Sequence, residues 1–518
     1  MKRIDAATLR GWFGDGGELA ILDAREEGEF GASHLFWAVP CPLSRREARA
    51  HALLPNLAAR VVCVDDGRGL AERLGDYLEG LGCTSVAVLD GGTGAWAAAG
   101  GVLFSGINVP SKAFGEWVEH HFGTESVDPP ELKAWQESGR DMVVLDSRTF
   151  EEFSRMSIPR GISVPGGELA YRIGDLAPDP QTLVVVNCAG RTRSIMGAES
   201  LRQAGIPNRV VALRNGTMGW ELAGLTCDRG RSERFSPGRP KTAELALQRA
   251  RAFAERSGVG VIGPAELAAF AADAGRTLYV LDVRDPAEFA AGHLEGSRSA
   301  PGGQLVQATD TWIGVHGARI ALIDDDGVRA RMAGAWLRQM GHRDVFVVEG
   351  GLAAAAIPVR PPDPIAEVPT ITAEQLAPAE GVLVIDLARS VEFRDGHIPG
   401  AVWGIRSRLA ALKQRLARAS AVVLTSPDGV LAWRAVPEVQ ELTSAPVHVL
   451  EGGTAAWVGE GYRLDRDRTH PPDAACVDVY LRPYDRNSGV QEAMRAYLAW
   501  EIDLVHEIAR DGTVRFGV

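Results

Sequence analysis

The sequence lacks any run of apolar residues approaching the ~20 needed to span a bilayer. Its start, MKRIDAATLRGWFGDGG, has two early positive charges but no apolar segment of signal-peptide length behind them. No membrane contact is expected, and the expected location is cytoplasmic. Cysteine is scarce: six residues, at 41, 63, 83, 188, 227 and 476, with no Cys-x-x-Cys pair and no ligand-like spacing. A disulfide framework or a metal site is therefore not expected, and the thiols should be free in a reducing compartment. Positive charge is the minority sign, 55 Lys and Arg against 67 Asp and Glu, and a net charge of −12 argues against a nucleic-acid binder. At 46% hydrophobic and 24% charged, the composition is that of an ordinary globular chain. With 518 residues it is too long for one core, so about three to five domains are expected.

What is present is a repeat. A short apolar strand ends in an acidic residue four times: AILDAREEGEF (from Ala20), VVLDSRTFEEF (from Val143), YVLDVRDPAEF (from Tyr279) and LVIDLARSVEF (from Leu383). The acids are Asp23, Asp146, Asp282 and Asp386. A turn follows each (HLFWAVP, SIPRGISVP, HLEGSRSAP, HIPGAVWGI), then a second apolar strand: RVVCV, LVVV, RIALI or AVVLT. In the first three copies a helical pattern follows and ends at Gly82, Gly205 or Gly341, where glycine can close a helix. A third strand leads into VLDGGTGAW, ALRNGTMGW, VVEGGLAAA or VLEGGTAAW. Short apolar strands alternating with helices predict an α/β fold in each copy, a mostly parallel sheet with helices on both faces. The copies divide the chain into units at 1–105, 126–228, 259–360 and 367–465, leaving an extension at 466–518. In that extension Met494, Leu498, Ile502 and Val505 form one stripe of an amphipathic helix, expected to pack on the fourth unit, with homodimerisation as its alternative use.

The stretch NCAGRTRS, Asn187–Ser194, directly follows the strand LVVV. In an open parallel sheet, ligands bind beyond the carboxyl ends of the strands. Cys188 lies there, ahead of the helical pattern SIMGAESLRQAG, with Gly190 allowing a tight curl and Arg191 and Arg193 in the same turn. Helix dipole and guanidinium charge both favour the thiolate, the nucleophilic form. The other cysteines lack such a turn; Cys63, inside a strand, reads as core. At the position of Cys188 the first copy has Asp65, the third Asp324 or Asp325, and the fourth Ser426 or Pro427. Those three copies are expected to be catalytically silent.

Four features together carry a resemblance: the Asp-x-Arg after the first strand, the Gly396–Gly400 turn, the strand–Cys–loop–helix and the Gly-Gly-x-x-x-Trp close. The chain resembles a tandem four-domain rhodanese-type sulfurtransferase, from about Ile4 to Leu464. The resemblance implies that Cys188 carries a sulfane sulfur as a persulfide, stabilised by the amides of Ala189, Gly190, Arg191, Thr192, Arg193 and Ser194. It implies a small sulfur donor, a thiol or cyanide acceptor, and neither a metal nor an organic cofactor. Arg148 and Arg160 are further candidates for holding an anionic donor, Arg148 having an ion pair as its structural alternative; Asp146 and Trp220 read as structural. Two loop arginines suit thiosulfate, with glutathione persulfide or mercaptopyruvate as alternatives. Arg193 stands five positions after Cys188, the shorter, sulfur-transferring loop; cell-cycle phosphatases sharing the fold have one residue more, which makes phosphatase or arsenate-reductase chemistry the minor alternative. A persulfide-binding scaffold is the rival from another class.

Overall fold

The computed structural model describes residues 1–365 and 367–517. Residue 518, the last of the extension, lies outside them. Each repeat builds one sheet. In the second repeat the strand order is Ser126–Val127, Val210–Leu213, Leu183–Asn187, Met142–Asp146, Gly161–Ser163, all parallel. The strand leading to Cys188 is thus central, buried along its whole length. Its Val-rich sequence fits a strand covered on both faces. The third and fourth sheets have the same order of strands. The first departs from it: Val315–His316, from the third repeat, adds antiparallel to Leu19–Asp23, so one strand of this sheet comes from elsewhere in the chain.

The helices expected to end at Gly82, Gly205 and Gly341 run Leu70–Gly80, Thr192–Gln203 and Arg329–Gln339, with those glycines at φ of 95°, 71° and 100°. The fourth repeat also has this helix, Val430–Gln440, which the pattern did not announce: Pro437 sits inside it and no glycine closes it.

The third repeat docks on the first, through Val315–His316, and on the second. Gly166 and Gly167 of the second lie against Gly302 and Gly303 of the third, so close that a Cβ on Gly167 would stand 2.9 Å from the Gly303 amide nitrogen. Across the same junction Arg329 donates to Glu168 at 2.7 Å and the Trp336 indole donates to Ser200 at 2.8 Å. The first and fourth repeats join through Arg406–Glu47 at 2.8 and 2.9 Å and Ser407–Glu26 at 2.7 Å.

Two helices outside the sheets converge on the second repeat. The segment linking the first two units forms the helix Val109–Phe122, and the extension ends in the helix Val490–Asp511. The latter does not pack on the fourth unit as expected. The extension crosses the first repeat, where the Gly28 amide donates to the Val477 carbonyl at 2.8 Å, and reaches the second, where Tyr484 meets Thr217 at 3.4 Å. Leu504 joins Val109 and Ala113 of the linking helix in one apolar cluster; Met494 and Leu498 join Met218 in another. The buried stripe is Met494, Leu498, Glu501 and Leu504, while Ile502 is 46% exposed. The stripe turns away from Ile502 because Glu501 is drawn inward by Lys112, 2.8 Å away.

Candidate active site

The strand register fixes which residues stand at the site in each repeat. Asp146 pairs with Asn187, Asp23 with Val64, Asp282 with Ile323 and Asp386 with Thr425. The residue after each second partner is Cys188, Asp65, Asp324 and Ser426. The backbone agrees: the Cys188 carbonyl accepts from Thr217 at 2.9 Å, that of Asp65 from Thr93 at 2.8 Å, and that of Ser426 from Thr454 at 2.9 Å.

The loops without a cysteine show what this turn is shaped to hold. Asp65 accepts from the backbone amides of Gly67 at 2.8 Å, Leu70 at 2.7 Å and Ala71 at 3.3 Å. Asp324 accepts from Ala330 at 2.9 Å, and the Ser426 hydroxyl from Ala432 at 3.3 Å. A curl ahead of a helix, with orphan amides at its start, is a cradle for negative charge. The equivalent amides around Cys188 belong to Gly190, Arg193 and Ser194. Cys188 Sγ lies 3.5 Å from Ser194 Oγ, whose hydroxyl donates to the Arg191 carbonyl at 2.8 Å. Gly216 closes the loop from behind: at φ 56°, a Cβ there would fall 2.2 Å from the Cys188 carbonyl oxygen.

Neither loop arginine is free. Arg193 makes a two-pronged ion pair with Glu152, at 2.6 and 2.8 Å, and Arg191 donates to Glu116 at 2.7 and 2.8 Å and also to Glu119. Burial pushes Glu152 up, but the Arg193 charge outweighs it and holds that carboxyl well below its usual range. Thr192 reaches Glu501 at 3.2 Å. Cys188 is 2% exposed. The sequence argued for a favoured thiolate; here burial raises the thiol above its ordinary range, and Arg193 and Ser194 recover only part of that. Dipole and arginines are present as expected, yet desolvation of the thiolate outweighs arginines already neutralised by carboxylates.

Arg148 and Arg160 do not extend the cradle. Arg148 is spent on Asp146, at 2.7 and 2.8 Å, and on the Met156 carbonyl at 2.5 Å. Arg160 lies elsewhere. Gly161 is level with Val144, so Arg160 sits four residues, about 13 Å, short of the level of Cys188 along the strands. It is exposed and donates to the Gln136 carbonyl at 2.9 Å. The turn that carries it precedes its strand, so it opens at the amino end of the sheet, opposite the loop. Asp146 accepts from Asn187 as well as Arg148, and Trp220 is 1% exposed with its indole on the Thr226 carbonyl.

The sequence reading missed Glu152, Lys112, Glu116, Glu119 and Glu501. Glu152 was findable: Thr149 and Glu152 are the ends of a capping box, and both of its hydrogen bonds are present. The Val109, Ala113, Phe114, Val118 spacing in the linking segment was likewise a helical signal.

A sequence model described as the rhodanese-like domain matches residues 5–99, 128–223, 264–356 and 371–460. The chain belongs to this family. A solved structure of a thiosulfate sulfurtransferase from Pseudomonas aeruginosa is 45% identical, covers 100% of both chains and superposes with a TM-score of 0.94. An HTH-type transcriptional regulator of Mycobacterium tuberculosis is 33% identical over 107 residues, 20% of this chain and 46% of that protein; the match thus spans less than half of this curated relative. A 3-mercaptopyruvate sulfotransferase from Escherichia coli is 17% identical, covering 43% of this chain and 97% of that one, with a TM-score of 0.22.

Proposed function

We propose that this rhodanese-family chain is a sulfurtransferase that takes sulfane sulfur from thiosulfate onto Cys188 and delivers it to a thiol or to cyanide. One observation carries the reading: Cys188 occupies the cradle position in which Asp65 and Asp324 hold a carboxylate against backbone amides. A persulfide on Cys188 puts its negative outer sulfur where those carboxylates lie. The chemistry is two displacements. Cys188 attacks the outer sulfur of thiosulfate, the donor's S–S bond breaks, and sulfite leaves with the thiol proton. The acceptor then attacks the outer sulfur of the persulfide, and Cys188 departs as thiolate. The full-length 45% identity to a thiosulfate sulfurtransferase supports the donor. The reaction belongs to a reducing compartment, the cytoplasm, as six free cysteines suggest.

A second donor, glutathione persulfide, is favoured by a specific observation: Arg191 and Arg193 both already hold carboxylates, so the site offers a dianion less net positive charge than the sequence implied. Intact-protein mass after mixing with thiosulfate tests both. A gain of roughly 32 Da on the wild type and none on Cys188→Ser is expected of covalent sulfur transfer. A gain only with glutathione persulfide or mercaptopyruvate would move the donor. No gain with any, and turnover surviving Cys188→Ser, would overturn the assignment in favour of a scaffold.

A further inference from the structure

Glu501 is a carboxylate in a place where the helix pattern calls for an apolar residue. It lies three positions after Leu498 and three before Leu504, and is 1% exposed. Its Oε1 accepts from Lys112 at 2.8 Å, from the Tyr497 hydroxyl at 3.0 Å and from Thr192 in the catalytic loop at 3.2 Å. Its Oε2 is buried with no hydrogen-bond partner among the described residues. That oxygen faces Gly190: a Cβ there would stand 3.0 Å from it, 3.3 Å from the Tyr497 ring and 3.8 Å from Leu498. A buried carboxylate oxygen without a partner is costly and persists only where something else fixes it.

Among the described residues the loops of the other repeats are more open, although Leu247 approaches that of the third. The loop tips Asp66–Arg68, Asp325 and Pro427–Asp428 are exposed, whereas Cys188, Gly190, Arg191, Thr192 and Ser194 are all buried. The linking helix contributes to the same clamp: a Cβ on Gly115 would stand 2.8 Å from Thr192 Cγ2. Two helices foreign to the repeat thus close on the outside of the loop that carries Cys188.

We propose that Glu501 is a positioning residue for the catalytic loop: anchored by Lys112, it holds the curl at Gly190 and Thr192 and sets a negative charge behind Cys188, so the C-terminal helix governs how readily that cysteine reacts. The charged and titratable groups facing Glu501 are Lys112, Glu116 and Tyr497, with Arg191, Tyr480 and Cys188. Around Cys188 itself stand Arg193, backed by Glu152 and Asp146. Glu501 works with burial to favour the thiol, against Arg193 and Ser194. The proposal rests on Cys188 being the nucleophile, but its test needs no sulfur donor.

The experiment is the pH profile of iodoacetamide alkylation at Cys188, read by peptide mass in the full-length chain. Glu501→Gln removes the charge and keeps the shape, so its profile should move to lower pH, with alkylation at pH 7.5 faster by roughly threefold or more, because more of the cysteine is thiolate. Lys112→Met leaves the carboxylate uncompensated and should move the profile to higher pH. This second variant decides the matter if the first does not fold. Profiles superimposable on the wild type, or both displaced in the same direction, would overturn the proposal and leave Glu501 a packing residue. Failure of sulfur loading with these shifts intact would instead count against the sulfurtransferase reading alone.

Discussion

Arg193 and Arg329 hold the same place in two repeats, five residues after Cys188 and Asp324, and each clasps the glutamate that closes a capping box: Glu152 in one, Glu288 in the other. The pair has diverged in use. Arg193 stands by Cys188. Arg329 is 1% exposed and binds Asp325, Asp326 and, across the junction, Glu168 of the second repeat. The same position serves as a docking bolt in the third repeat.

Removing that bolt should therefore cost stability. Arg329→Met leaves buried Asp326 and half-buried Glu288 without their cation and Glu168 with Arg172 alone, an effect of about 3–5 kcal/mol. Chemical denaturation should show it. An unchanged midpoint would mean that the glycine contacts and the Trp336–Ser200 hydrogen bond hold the junction without it.

Arg193→Ala should act on chemistry. It removes the positive charge that Cys188 feels most strongly and strands Glu152. Sulfur loading and turnover should fall by roughly a hundredfold, the scale on which removal of one transition-state donor is felt. Loading and turnover equal to wild type would show that the loop amides hold the anion without the Arg193 charge.

Two glycines separate backbone strain from collision. Both Gly205 and Gly216 have positive φ, but a Cβ on Gly205 meets nothing within 4 Å, while one on Gly216 strikes the Cys188 carbonyl. Gly205→Ala should cost about 1–2 kcal/mol of stability, with catalysis retained. Gly216→Ala must displace the loop, and its alkylation and sulfur loading should fail while the far-ultraviolet circular dichroism stays native. Equal losses of activity would mean that the loop does not depend on this close approach.

The fourth repeat supplies a prediction about pH. Asp23, Asp146 and Asp282 each hold the arginine two residues on, but Ala388 stands at that place after Asp386. Buried and lacking the cation, the Asp386 carboxyl is pushed up to about 7. The folded state thus keeps a proton that the unfolded chain releases near pH 4. Stability from this group is complete below that pH, declines as pH rises towards 7, and is gone above it. Asp386→Asn cannot ionise, so its thermal midpoint should exceed the wild type's at pH 8 by more than at pH 5. A difference independent of pH would show that Asp386 is ionised throughout.

Most of the fold was legible because each repeat spells the same strands in the same order, and Cys188 was legible because a cysteine interrupts a pattern its siblings complete with Asp65 and Asp324. Periodicity failed at Val430–Gln440, where Pro437 and the missing terminal glycine mask a helix that the surrounding sheet nevertheless imposes. Arg160 does not reach the loop because its turn precedes the strand Gly161–Ser163, and only the parallel register shows which end of the sheet such a turn occupies. The partners of the loop arginines come from 75 residues earlier for Glu116 and 41 earlier for Glu152, and Thr192 meets Glu501 across 309. Contacts that distant leave no local trace in composition or spacing.

Consider finally the strand Val315–His316, lent by the third repeat to the edge of Leu19–Asp23 in the first. On the ribosome the first repeat emerges early but must wait for its borrowed strand. Nearly 300 residues separate the two, which at translation rates of about 5–20 residues per second is a delay of some 15–60 s. Through that interval the edge at Leu19 and Ala20 remains an unpaired ladder, the kind that recruits other strands. The assembly thus ties the first repeat's completion to synthesis of the third, and a chain truncated before Val315 should be caught by chaperones where one ending after the whole third repeat is not.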